Sequence, residues 1–117
     1  MKRLVIIVLL LAGVTLQAQN KNAKAAIEVD GVCLMCKSRI EKASFKTKGV
    51  KHADWDVKTH VLRLIFDERK TSLDSIQANI AAVGHDTETV KATEEAYNSV
   101  HDCCKYRDEE IKKDHGN

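Results

Sequence analysis

The sequence predicts an α+β domain whose elements run strand, helix, strand, strand, helix, strand. Three observations carry that prediction. Short runs near residues 25–31, 50–57 and 61–66 alternate apolar with polar residues, the period of a half-buried strand. Residues 36–46 and 73–83 instead repeat apolar residues at helical spacing. Gly31, Gly49 and Gly84 punctuate the joins, and the chain has no proline.

The elements follow in order. In "AAIEVDG", Ile27 and Val29 share one face of a strand and Gly31 turns the chain. The first helix places Ile40 and Ala43 one turn apart, and Gly49 is its stop signal. "VKHADWDV" puts Ala53, Trp55 and Val57 on the core face and His52, Asp54 and Asp56 on the other. "KTH" is a short hairpin connection to "VLRLIF", where Leu62, Leu64 and Phe66 face the core. Thr71 and Ser72 are capping candidates, and Asp74 suits the positive end of the second helix. Leu73, Ile76, Ile80 and Val83 form that helix's apolar stripe, Gly84 ends it, and "HDTETVK" is expected as a last strand. Two such halves build one antiparallel sheet with both helices on one face, the ferredoxin-like βαββαβ sandwich. A short C-terminal helical extension follows at residues 92–117, with Thr93 as N-cap, Tyr97 and Val100 on one face, then "HDCCKY" and a charged tail expected to fray.

The first 18 residues read differently. Lys2 and Arg3 precede an unbroken apolar run over residues 4–14, shorter than the ~20 residues of a membrane span. This is the pattern of a secretory signal peptide, with cleavage expected near Ala18, a flexible leader over residues 19–24 and the folded domain over 25–91. The full chain has 19 basic and 17 acidic residues. Cleavage removes Lys2 and Arg3 and no acid, so the mature chain balances and offers no basic stripe for nucleic acid. The expected location is exported, periplasmic and soluble.

Four cysteines remain in the mature chain, in an exported setting where disulfides persist. Cys33 and Cys36 lie three apart in "VDGVCLMCKSRIEKA". A bridge between them would close a very small loop and restrict the unfolded chain little. Close spacing suits metal binding or reversible redox chemistry better. Cys33 leaves the first strand, and Cys36 sits in the first turn of a helix, where the dipole and unpaired N–H groups favour a thiolate. Two converging thiolates suit a soft ion such as Cu(I) or Hg(II) and supply half of a tetrahedral Zn(II) site.

The segments "GVCLMCKSRIEKA", "GVKHADWDVKTHVLRLIFD" and "SLDSIQANIAAVGHD" together resemble the heavy-metal-associated domain family, which includes copper chaperones, modules of metal-pumping ATPases and the periplasmic mercury-binding protein. The resemblance spans residues 25–91 and implies a ferredoxin-like fold with one metal ion held by Cys33 and Cys36. Two positions depart from the common pattern. Gly31 stands where many members carry methionine, and His85 stands where many carry Tyr, Phe or Lys near the metal.

Other residues are weaker candidates. His85 is expected beside the site without binding the ion; Met35 could add a soft thioether, though a residue between two such cysteines more often faces solvent or packs locally. His52 and His60 are expected at the surface, Trp55 in the core, and His115 in the tail. Cys103, Cys104 and His101 are possible auxiliary ligands. The two cysteines could instead bridge to the first pair, which geometry also allows, or form a strained vicinal disulfide. A helix over residues 93–102 would run ~15 Å, nearly the ~17–20 Å of a typical strand, so it could carry "HDCC" back to the motif. Its Tyr97 and Val100 would then lie on the open sheet face at Val61 and Ile65.

The resulting expectation is a non-enzymatic, exported metal carrier or scavenger holding one ion, Cu(I) favoured and Hg(II) or Zn(II) possible, and releasing it by ligand exchange. Its partners would be a metal-transporting membrane protein or another metallochaperone. The competing expectations are an exported thiol–disulfide protein, against which the absence of proline and the topology argue, and a disulfide-stapled interaction module.

Overall fold

The computed structural model describes residues 19–114; the expected signal peptide and His115 lie outside the described residues. The elements are β1 (Ala23–Glu28), α1 (Leu34–Lys46), β2 (Val50–Trp55), β3 (Val61–Phe66), α2 (Leu73–Ala82), α3 (Glu94–Asn98) and α4 (Glu109–Asp114), with a 3-10 turn, Asp102–Cys104, between the last two helices.

The sheet has strand order β1-β3-β2 and both pairings are antiparallel. Leu62 pairs with Ile27 on one side and Trp55 on the other, so three buried side chains form one layer across the sheet. Alternation then places Ala53, Leu64 and Phe66 on the same side. Ile40 and Ala43 of α1 and Ile76 and Ile80 of α2 join them in one buried cluster. Each large aliphatic side chain buried here contributes about 1.5–3 kcal/mol. Ser72 caps α2 by accepting a hydrogen bond from the Ser75 amide (3.2 Å), and Asp74 lies in its first turn. The β2–β3 hairpin turns on Asp56, whose carboxylate accepts from the Lys58 and Thr59 amides (2.8 and 3.0 Å), with His60 at a positive φ of 63°.

The expected last strand does not form. Residues 85–91 contribute one bridge, Val29 to Thr87. Thr87 turns inward instead: its amide and hydroxyl both donate to the Val90 carbonyl (2.8 Å each), and its hydroxyl accepts from the Val90 amide (3.1 Å). The Glu88 carboxylate takes the Glu28 amide at 2.9 Å, and the Asp86 carboxylate takes the Ala92 amide at 2.7 Å. Side chains thus supply acceptors that a ladder would have supplied, and the chain reverses after one bridge. The described architecture is a βαββα ferredoxin-like fold with C-terminal helical additions.

Those additions also differ from expectation. Thr93 caps α3 as predicted, accepting from the Ala96 amide at 3.1 Å. The helix is short, however, and does not cover the open sheet face. Val100 and the Ala96 carbonyl close instead on Gly84, where a Cβ would come within 2.6 Å of both. Gly84 also has φ 108°, so it serves both the turn and this close approach. The tail does not fray before residue 114: the Asp108 carboxylate accepts from the Glu110 amide (2.9 Å), and Ile111 of α4 packs against the core.

Candidate metal centre

The loop between β1 and α1 is held from three sides. The Val29 amide donates to His60 O and the Asp30 amide to Asp86 O, both at 2.9 Å. Trp55, fully buried, donates its indole N–H to the Val29 carbonyl at 2.9 Å. Its ring also explains Gly31, since a Cβ there would lie 3.0 Å from Trp55 ring carbons and from Cys36 Cβ. Cys33 is the N-cap residue of α1 in extended conformation, and its side chain makes no capping bond. Cys36 lies in the first turn, and its sulfur accepts from the Val32 amide at 3.4 Å.

The C-terminal segment brings the other two thiols to this pair. Cys33 Sγ lies 3.3 Å from Cys36 Sγ, 3.0 Å from Cys104 Sγ and 3.7 Å from Cys103 Sγ. Cys103 and Cys104 are 4.0 Å apart at sulfur, and Cys36 also meets Cys104. The sulfurs of Cys33, Cys103 and Cys104 all lie within 4.8 Å of one another. All four cysteines are free thiols, and Cys36 and Cys104 are fully buried. Burial opposes ionisation of Cys33, but hydrogen bonds from Cys104, Cys36 and Cys103 outweigh it and hold this thiol below its ordinary value. Burial pushes Cys36 and Cys104 up, and Cys103 is raised by burial and by Cys33. Neighbouring thiols thus ease loss of the Cys33 proton, and a bound cation would displace thiol protons.

Tyr106 anchors the arm. Its hydroxyl donates to Gly84 O at 2.6 Å and accepts from the Asp86 amide at 3.0 Å, with the residue 3% exposed. The ring stacks on His85 (centroids 5.5 Å) and meets Tyr97 edge-on (5.0 Å). Arg107 continues the clamp, with Nη2 at 2.8 Å from Asp86 Oδ1 and its guanidinium over the Tyr97 ring. His85 is fully buried and its Nδ1 contacts Asp30 O at 2.8 Å. A carbonyl only accepts, so Nδ1 carries the proton and Nε2 keeps a lone pair with no hydrogen-bond partner among the described residues. Burial lowers its pKa to about 4, leaving the imidazole neutral.

The structure therefore gathers Cys33, Cys36, Cys103 and Cys104. It does not gather His101, which is exposed at the head of the 3-10 turn and offers its backbone carbonyl to the Cys104 amide (2.8 Å). His85 lies beneath the arm's anchor. Met35, expected to face solvent or pack locally, is 44% exposed yet puts Sδ 3.4 Å from Cys103 Sγ. Sequence reasoning missed Tyr106, Arg107 and Asp86. The available signal was an aromatic residue two places after the cysteine pair, in an otherwise charged stretch.

Among the described residues no helix is long and apolar enough to cross a membrane. No curated protein matches the chain in sequence. Solved structures do match. The CopZ metallochaperone is 26% identical at a TM-score of 0.54, covering 56% of this chain and 98% of that one. Oxidized MerP from Ralstonia metallidurans CH34 is 26% identical at 0.55, covering 57% and 94%. The N-terminal domain of the zinc(II) ATPase ziaa, in its apo form, is 33% identical at 0.50, covering 56% and 63%. The profile described as heavy-metal-associated domain matches residues 26–86, half of the chain. The chain belongs to the heavy-metal-associated domain family.

Proposed function

We propose that this protein is an exported heavy-metal carrier or scavenger that holds a thiophilic ion between Cys33 and Cys36 and completes its coordination with Cys103 and Cys104. The supporting observation is the meeting of the two cysteine pairs across 70 residues of chain, Cys33 Sγ lying 3.7 and 3.0 Å from Cys103 and Cys104. Soft thiolate donors favour Cu(I), and four of them also satisfy tetrahedral Zn(II); Hg(II) needs only the motif pair. Similarity to the CopZ metallochaperone, to MerP and to a zinc(II) ATPase domain supports the class of cargo. Release proceeds by ligand exchange: an incoming thiolate from a metal-transporting membrane protein or another metallochaperone bonds to the ion as one resident thiolate leaves. Cys103 is the half-buried member of the set and the one most open to that attack. Export rests on the basic start and apolar run before Ala18, and the mature protein should begin near Gln19.

The test is a competition titration of the reduced mature chain with Cu(I) and with Zn(II). Cys33→Ser/Cys36→Ser should abolish tight binding. Cys103→Ser/Cys104→Ser should weaken Zn(II) more than Cu(I), because two thiolates still satisfy the latter. Unchanged affinity in the first double variant would refute the assignment. Recovery of the native protein as a stable disulfide without metal would favour the thiol–disulfide alternative.

A further inference from the structure

The sulfur cluster holds more donors than one soft ion uses. Cys33 Sγ touches Cys36, Cys104 and Cys103, at 3.3, 3.0 and 3.7 Å, while Cys103 Sγ also touches Met35 Sδ at 3.4 Å. An inner triad, Cys33 with Cys36 and Cys104, is joined through the Cys33 sulfur, and an outer triad, Cys103 with Cys33 and Met35, is joined through the Cys103 sulfur, so the two share Cys33. Thiolate and thioether sulfurs are both soft donors that suit Cu(I). We propose that the cluster is a two-ion Cu(I) site, the second ion lying in the outer triad with the Cys33 thiolate bridging. This rests on the reading that the thiols bind metal, and it adds a site and a ligand, Met35, to that reading.

The chemistry balances without any redox step. Four thiols lose four protons, and four thiolates with two Cu(I) leave a net charge of −2, the same as four thiolates around one Zn(II). The bridging role falls to Cys33, whose sulfur lies within 3.7 Å of each of the other three thiol sulfurs. For metal–sulfur bonds of about 2.3 Å, a three-coordinate ion wants its ligands about 4.0 Å apart. Cys33 and Cys103 stand at 3.7 Å, close to that spacing. The hydrogen-bonded contacts at 3.0 and 3.3 Å open by less than about 1 Å when an ion replaces the shared proton. The two positions differ in access. Cys36 and Cys104 are fully buried, whereas Met35 is 44% exposed and Cys103 half-buried. A neutral thioether in place of a third thiolate also makes the outer ion the weaker one. The outer position thus exchanges first, and the inner ion stays behind.

The reduced, metal-free mature chain would be titrated with Cu(I) against a Cu(I) chelator under anaerobic conditions, with ion count read by native mass spectrometry. The expected result is two ions per monomer in two steps, with a copper–copper distance in X-ray absorption that the one-ion form lacks. Zinc(II) should stop at one ion. Met35→Leu, at a largely exposed position that tolerates change, should keep the first ion and weaken the second at least tenfold. Cys103→Ser should remove the second. Saturation at one Cu(I), a second ion seen only in dimers, or a second-ion affinity unchanged by Met35→Leu would each overturn the two-ion site and leave the proposed function standing. Binding no tighter than in Cys33→Ser/Cys36→Ser would overturn both.

Discussion

Tyr106→Phe removes one oxygen atom and tests whether the arm is latched as described. The ring contacts with His85 and Tyr97 survive the change. What goes is the hydroxyl's bond to Gly84 O (2.6 Å) and the one it accepts from the Asp86 amide (3.0 Å). A buried group left without its partner costs about 1–3 kcal/mol, and the two together cost roughly 2–3 kcal/mol here, since water enters once the arm loosens. That is a roughly 30- to 150-fold larger population of undocked arm. Native-state hydrogen exchange on the reduced apo protein reads it directly. The Cys104 amide (2.8 Å to His101 O), the Tyr106 amide (2.7 Å to Cys104 O) and the Arg107 amide (3.1 Å to the Tyr97 hydroxyl) should exchange faster by that factor. Amides of the central strand β3, such as Leu64, should barely change, because the sheet does not depend on the arm. Unchanged protection in the arm, or equal acceleration in arm and sheet, would refute the latch.

Three further outcomes follow from the same geometry. His85 is neutral when folded, with a pKa of about 4 against an ordinary 6.5. The unfolded chain binds the extra proton first, so stability falls as pH drops from about 6.5 to about 4, by roughly 3 kcal/mol in all. Urea unfolding at pH 4.5–7 should show that slope, and His85→Asn should flatten it. Gly84→Ala should cost about 2–4 kcal/mol, since its Cβ would meet Ala96 O and Val100 Cγ1 at 2.6 Å and its φ is 108°; a thermal shift below 2 °C would contradict the close approach. Gly31→Ala crowds Trp55 and Cys36 at 3.0 Å and should cost about 1–3 kcal/mol, with a matching change in Trp55 fluorescence; unaltered stability and emission would show that the loop has room.

The elements whose signal is local were legible in the sequence. Alternation placed Leu62, Leu64, Phe66, Ala53 and Trp55 on the buried side, and Ser72 and Thr93 cap their helices as read. The last strand was misread because its residues look extended while their side chains compete for the backbone. Thr87 turns on Val90, and Glu88 and Asp86 take amides a strand would have paired. That reversal also changed the arm's route. The arm was expected to travel back along a strand, but the chain turns at residues 87–90 and Val100 seats on Gly84. The cysteine convergence was thus anticipated by a path the protein does not take. Tyr106 was not legible because its partners, Gly84 O and the Asp86 amide, are backbone groups that carry no side-chain signature. Met35 was read as a possible thioether donor but more readily as solvent-facing or locally packed, because its contact with Cys103 spans 68 residues.

The central claim is that two cysteine pairs, one in the motif loop and one in the arm, act on the same ion. X-ray absorption at the zinc edge of the mature chain carrying one equivalent of Zn(II) tests it most directly, because it counts the sulfurs bound. The account predicts four sulfurs at about 2.3 Å, falling to two, with nitrogen or oxygen filling the rest, in Cys103→Ser/Cys104→Ser. Two sulfurs in the unaltered chain, indistinguishable from the double variant, would contradict it.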